Sequence, residues 1–61
     1  MNKFNLCDNV RVIGNRCYAG KTGRVVEIEV DENGNTLYTI AVLFGNYIEL
    51  CFNENELELL E

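Results

Sequence analysis

The sequence predicts a small all-β barrel, and three observations support this fold class. Short runs in which apolar and polar residues alternate recur along the chain, as in half-buried strands. Segments rich in glycine and asparagine, which are typical of turns, separate these runs. No stretch has the spacing of an amphipathic helix of useful length. We therefore expect five brief strands to curl into one small barrel.

Length and composition predict the number of domains, the size of the core and the cellular compartment. We expect the 61 residues to form a single domain, residues 1–61. A domain of this length buries only about 60% of the surface that its unfolded chain exposes, so the core is thin. No run approaches the roughly 18 apolar residues of a membrane span. The three cysteines and the lack of a signal peptide predict a reducing cytoplasm, with the thiols as small apolar packing groups.

The first two strands flank the most informative stretch, residues 10–28. In the first strand Val10 and Val12 alternate with Arg11, which predicts that both valines face the core. The second strand covers residues 24–30. Its alternation predicts three core-facing side chains: Val26, Ile28 and Val30.

The third strand, residues 36–44, fixes the register of the hairpin that precedes it. Its predicted core face consists of Tyr38, Ile40, Val42 and Phe44. A three-residue loop, residues 32–34, sets Ile28 opposite Tyr38. The same register sets Val26 opposite Ile40. A slip by one residue would place the two apolar sets on opposite faces of the sheet, so we expect this register.

The turn residues refine these connections. Asp31 is suited to begin a type I turn, with Gly34 in the left-handed position. After the third strand, the same parity argument favours a three-residue loop at residues 45–47. This loop sets two pairs opposite each other: Phe44 with Ile48, and Val42 with Leu50.

The end of the chain completes the predicted barrel. The fourth strand covers residues 48–52, and residues 53–56 are too few and too polar for an α-helix, so they predict a single 3₁₀ turn. Leu57 and Leu59 then pair with the first strand and close the barrel. Two apolar side chains near the start are expected to cover an open end: Phe4 and Leu6.

Charge is divided unevenly between the two halves of the chain. Residues 1–26 hold five cations and one acid, a net +4, whereas residues 27–61 hold nine acids and no cation, a net −9. This asymmetry is more informative than the total charge, and the cations concentrate near one loop. The overall charge of −5 argues against tight non-specific binding to DNA, because phosphate contacts need several cations on one face.

The residue types exclude several kinds of chemistry. The chain has no histidine and no serine, so the usual general base and hydroxyl nucleophile are missing, and we do not expect an enzyme. The cysteines lack Cys-x-x-Cys spacing, which argues against a metal site. The Gly20-Lys21-Thr22 tripeptide lacks the upstream glycine and the following helix of a phosphate-binding loop, so no cofactor is expected.

A glycine-punctuated loop between the first two strands is the predicted binding site. Its candidate binding residues are Arg16, Tyr18, Lys21 and Arg24. Cations beside an aromatic ring are typical of proteins that bind single-stranded nucleic acid. The alternatives are contact with a protein, or no specific role, with Tyr18 packed on the barrel and the cations balancing the acidic half.

The same stretch resembles a KOW motif. The matching pattern is Val10-x-Val12-Ile13-x-x-x-x-Tyr18-Ala19-Gly20-Lys21-Thr22-Gly23-x-Val25-x-x-Ile28. Gly20 is eleventh from Val10, where the characteristic glycine of the family falls. KOW motifs occur in transcription elongation factors and in some proteins of the large ribosomal subunit. The resemblance implies an SH3-like small barrel that binds RNA or a protein of the transcription or translation machinery.

Two further functions remain open from the sequence. The acidic half is typical of a protein-binding inhibitor or adaptor, such as those encoded by phages, that occupies a basic surface of its partner. A thin core also favours a homo-oligomer in which open strand edges pair.

Overall fold

The computed structural model of the chain describes residues 3–60, and within them the backbone but not the side chain of Phe44. These residues form five antiparallel strands and one 3₁₀ turn, with no α-helix. The strands are β1 (Asn9–Val12), β2 (Thr22–Val30), β3 (Thr36–Phe44), β4 (Asn46–Asn53) and β5 (Leu57–Leu59), and the 3₁₀ turn is Glu54–Glu56. The predicted all-β class, the five strands and the turn before the last strand are confirmed.

All five strands belong to one sheet with the order β4-β3-β2-β1-β5. The last strand pairs with the first as predicted, with Leu59 opposite Val10 and Leu57 opposite Val12. β4 and β5 are the two edges, and no pairing among the described strands joins them, so the sheet is not closed into the predicted barrel. β5 contributes only three residues, which leaves it little backbone with which to pair a second neighbour.

The β2–β3 hairpin has the predicted three-residue loop, residues 32–34. Ile28 lies opposite Tyr38, as predicted. The backbone N–H of Gly34 donates to the carbonyl oxygen of Asp31 at 3.1 Å, which closes the turn. The predicted left-handed conformation of Gly34 is also confirmed, with φ at 84°.

A β-bulge in β2 contradicts the second predicted pair of this hairpin. Val25, not Val26, lies opposite Ile40, and the next pair joins Glu27 to Thr39. Val26 is therefore the extra residue of the bulge. Val25 is fully buried, whereas 43% of Val26 is exposed.

The N-terminal segment explains why Val25 faces the core. The N–H of Val25 donates to the carbonyl of Asp8 at 2.9 Å, and its carbonyl accepts the N–H of Cys7 at 2.8 Å. These bonds extend the pairing of β2 beyond β1. Of the other predicted core residues of β2, Ile28 is half-buried, but Val30 is exposed because it lies at the end of the strand.

The turn between β3 and β4 is tighter than predicted. The predicted pairs were Phe44 with Ile48 and Val42 with Leu50, and both are wrong. Ile48 instead lies opposite Val42, and Gly45 alone connects the strands, with φ at 79°. Glycine adopts this left-handed conformation without steric cost. The predicted register differs from the observed one by two residues, an even number, so both registers place the same residues of the two strands on a shared face of the sheet.

Among the described residues, the core consists of Phe4, Val10, Val12, Val25, Tyr38, Ile40, Val42, Phe52 and Leu57. The rings of Phe4 and Tyr38 pack edge to face, with centroids 5.1 Å apart. Phe4 is therefore part of the core, whereas Leu6 is exposed and does not cover it, contrary to the prediction. The predicted place of Phe44 on the core face lies outside the described side chains.

Candidate binding surface

The loop that joins β1 to β2, residues 13–21, is here named the basic loop, and backbone hydrogen bonds hold its base. The N–H of Val12 donates to the carbonyl of Lys21 at 2.8 Å, and the carbonyl of Val12 accepts the N–H of Gly20 at 2.8 Å. Two N–H groups at the start of the loop donate to the carbonyl of Glu56, at 2.7 and 3.2 Å. The basic loop is thus anchored to β1 and to the 3₁₀ turn.

The far end of the basic loop is a turn that requires glycine. The N–H of Lys21 donates to the carbonyl of Tyr18 at 3.0 Å, which makes Gly20 the third residue of a four-residue turn. Its φ of 90° is the left-handed value that a type II turn needs at this position. A Cβ added there would meet nothing within 4 Å, so backbone conformation rather than space demands glycine.

Tyr18 connects the basic loop to the core. Its ring is half-buried and packs edge to face against Phe52, with centroids 6.1 Å apart. Because this contact uses part of the ring, only the remaining part is available to a ligand. Tyr18 therefore positions the loop as well as lining it.

The three predicted binding cations are exposed, but they do not all lie on the loop. Arg16 and Lys21 belong to the basic loop. Arg24 lies in β2, where it is opposite Asn9 on one side and Ala41 on the other. Two of the predicted cations therefore share the loop, and the third belongs to the outer face of the sheet, the face that points away from the core.

Arg24 borders an open groove on this outer face, here named the sheet groove, with a volume of about 780 Å³. Its apolar lining consists of Val26, Ala41, Leu43, Tyr47 and Leu60. Leu43 is 57% exposed and Tyr47 is 74% exposed. The sheet groove is thus an accessible apolar surface beside a single arginine among its described lining residues.

The sequence pattern does not reveal the sheet groove, because irregular elements build it. The bulge turns Val26 outward, although simple alternation places it in the core. The tight turn at Gly45 sets Tyr47 opposite Leu43. The one signal in the sequence is that Ala41 and Leu43 make the second face of the third strand nearly as apolar as the first.

Three carboxylates share the outer face with the sheet groove: Glu27 and Glu29 on β2, and Glu49 on β4. A hydrogen bond with Glu29 raises the pKa of Glu27, and the negative charges of Glu29 and Glu49 act in the same direction. The other two carboxylates therefore repel Glu27 in the folded chain.

Two acidic side chains near the end of the chain have structural partners instead. Glu58 forms an exposed ion pair with Arg11 at 3.2 Å. Glu56 accepts the N–H of Asn53 at 3.1 Å and completes a capping box at the 3₁₀ turn.

The chain was compared with models of known families, with curated proteins and with solved structures. None of them matches.

The three cysteines, Cys7, Cys17 and Cys51, are free and exposed, so the expectation that they serve as apolar packing groups is wrong.

Within residues 3–60, no group of three or more histidine, cysteine or acidic side chains has a geometry that would hold a metal ion. The same part of the chain forms no helix with the length and apolar character needed to cross a membrane.

Proposed function

We propose that the chain is a non-catalytic binding module and that its basic loop contacts RNA. One observation carries this proposal. The glycine that the KOW-like motif marks, Gly20, is the residue whose left-handed backbone the turn requires. A protein of the transcription or translation machinery is the alternative ligand for the same loop.

The charges of the basic loop favour RNA. Arg16 and Lys21 are exposed on a loop whose base is held by hydrogen bonds, so little order has to be gained on binding. Tyr18 lies between them in the chain and offers the uncovered part of its ring. Cations and an aromatic ring together suit the phosphates and bases of a single strand.

We also propose that the sheet is an open form of the SH3-like fold implied by the KOW-like motif. In its support, β5 pairs with β1 directly after the 3₁₀ turn. Gly23 approaches β3 so closely that an added Cβ would overlap the side chain of Ile40 and the carbonyl of Ala41. This glycine and the bulge at Val26 are devices that bend a strand and curve a sheet towards closure.

A pull-down from native lysate, with and without nuclease, tests the basic loop. We expect the wild type to retain RNA and Arg16→Glu or Lys21→Glu to lose most of it, because each substitution places a negative charge against phosphate. Lys3→Glu is the matched control. It makes the same change of charge outside the loop, at a side chain that lies over the ring of Phe4.

The outcomes separate the two ligands. A partner that is lost with either loop substitution but survives nuclease is a protein, and this result selects the alternative ligand. If the loop variants retain as much RNA as the wild type, or if Lys3→Glu loses as much as they do, the basic loop is not the contact surface.

A further inference from the structure

The sheet groove presents apolar surface that the core does not use. Val26, Leu43 and Tyr47 expose large parts of their side chains there. The exposure of Val26 follows from the bulge, a feature that proteins use to redirect a side chain. Contiguous apolar surface bordered by polar groups marks an interaction site.

The carboxylates beside the sheet groove outnumber the arginine that lines it, so the charges favour a basic occupant. Glu27 directly follows Val26, and Glu49 lies two residues from Tyr47, on the same face of β4. The hydrogen bond with Glu29 and the negative charge of Glu29 raise the pKa of Glu27, and Glu49 adds a smaller repulsion. A partner with positive side chains would relieve this repulsion while its apolar side chains filled the groove.

We infer that the sheet groove binds a segment of a partner protein in which apolar side chains are interleaved with lysine or arginine. The guanidinium of Arg24 can donate to backbone carbonyls of that segment. This inference goes beyond the proposed RNA contact, because it concerns a different surface. The acidic half of the sequence leaves open an alternative function as a protein-binding adaptor or inhibitor, and the sheet groove would be the binding surface for that function.

Two other occupants fit the charges less well. The phosphates of RNA would meet Glu27 and Glu49 beside the groove. A second copy of the chain would bring a net charge of −5 towards the same carboxylates. A basic, apolar polypeptide segment is the occupant that satisfies both the groove and its border.

The test uses the whole chain labelled with ¹⁵N and a short synthetic peptide in which leucine and lysine alternate, at about 0.15 M salt. We expect the peptide to shift the amide resonances of Val26, Leu43 and Tyr47. A peptide with glutamate in place of lysine tests the charge, and one with serine in place of leucine tests the apolar contact. Both are expected to bind at least about ten-fold more weakly.

Substitutions in the chain test the same surface. Leu43→Ser is expected to weaken binding of the leucine–lysine peptide about ten-fold, because a central apolar contact is lost. Val30→Ser is the control, since Val30 is 65% exposed on β2 but does not line the groove. Replacing Glu27 and Glu49 together by glutamine is expected to weaken binding and to remove most of its dependence on salt.

Equal binding by Leu43→Ser and the wild type would overturn the inference, and so would equal binding of the lysine and glutamate peptides. Shifts at Leu43 and Tyr47 that follow the concentration of the chain itself would also overturn it, because they would show a second copy in the groove. Arg16→Glu should keep peptide binding whether or not it retains RNA. The two proposals can therefore fail independently.

Discussion

The hydroxyl group of Tyr38, in β3, is hydrogen-bonded to the N-terminal segment. The Oη of Tyr38 accepts the N–H of Phe4 at 3.3 Å and that of Lys3 at 3.1 Å. Tyr38 and Phe4 are both buried, so water cannot replace this acceptor easily. A buried donor left without a partner costs about 1–3 kcal/mol. The alternation in the third strand predicts the burial of Tyr38, but it contains no information on the partners of the hydroxyl.

Tyr38→Phe is therefore expected to lower the free energy of unfolding by about 1 kcal/mol, measured by urea denaturation. Tyr47→Phe removes the same hydroxyl from a residue that is 74% exposed. This control is expected to change stability by less than about 0.5 kcal/mol. Equal losses from the two variants would contradict the role assigned to the hydroxyl of Tyr38.

The raised pKa of Glu27 makes a second prediction at the scale of a residue. A carboxyl group whose pKa is higher in the folded chain favours folding below its usual pKa of 4.5, and this contribution is lost as pH rises through the raised value. Glu27→Gln is therefore expected to match the wild type in acid and to be more stable at neutral pH. Urea midpoints at the two pH values measure this difference. A gain in acid as large as that at neutral pH would argue against repulsion by Glu29 and Glu49.

At the scale of elements, the alternation of apolar and polar residues predicts which face of a strand is buried, but it does not always predict which residues of neighbouring strands pair. It correctly predicts that Ile28 lies opposite Tyr38, because a slip by one residue would bury polar groups. A slip by two residues leaves every side chain on the same face, so the pattern cannot detect it, and the predicted register after Gly45 is wrong. The bulge at Val26 also escapes it, because that irregularity depends on pairing with the N-terminal segment.

The start of the basic loop donates two hydrogen bonds to the 3₁₀ turn, so we expect the cap of this turn to stabilise the loop as well. Asn53 accepts the N–H of Asn55 at 3.0 Å through its side chain, so Asn53→Ala should lower stability by about 1 kcal/mol. The same substitution should speed amide exchange at Ile13 and Gly14, whose N–H groups donate to the carbonyl of Glu56. In Asn55→Ala the cap remains intact, and exchange should stay slow. Unchanged exchange in Asn53→Ala would contradict this support of the loop.

At the scale of the whole molecule, the division of charge along the sequence does not become two separate halves. β1 lies between β2 and β5, and Arg11 of the basic half pairs with Glu58 of the acidic half. The sequence identifies the exposed cations of the basic loop because loop and charge are both local properties. It does not identify the sheet groove, because that surface is assembled from separate strands by a bulge and a one-residue turn.

The dependence of RNA binding on salt is the most direct test of the basic loop as a contact surface. The affinity of a single-stranded RNA is measured over a range of salt concentrations for the wild type and for the combined Arg16→Glu/Lys21→Glu variant. Each phosphate contact contributes about 0.7 to the slope of log affinity against log salt. We expect the slope of the variant to fall towards zero. A slope equal to that of the wild type would contradict the proposal.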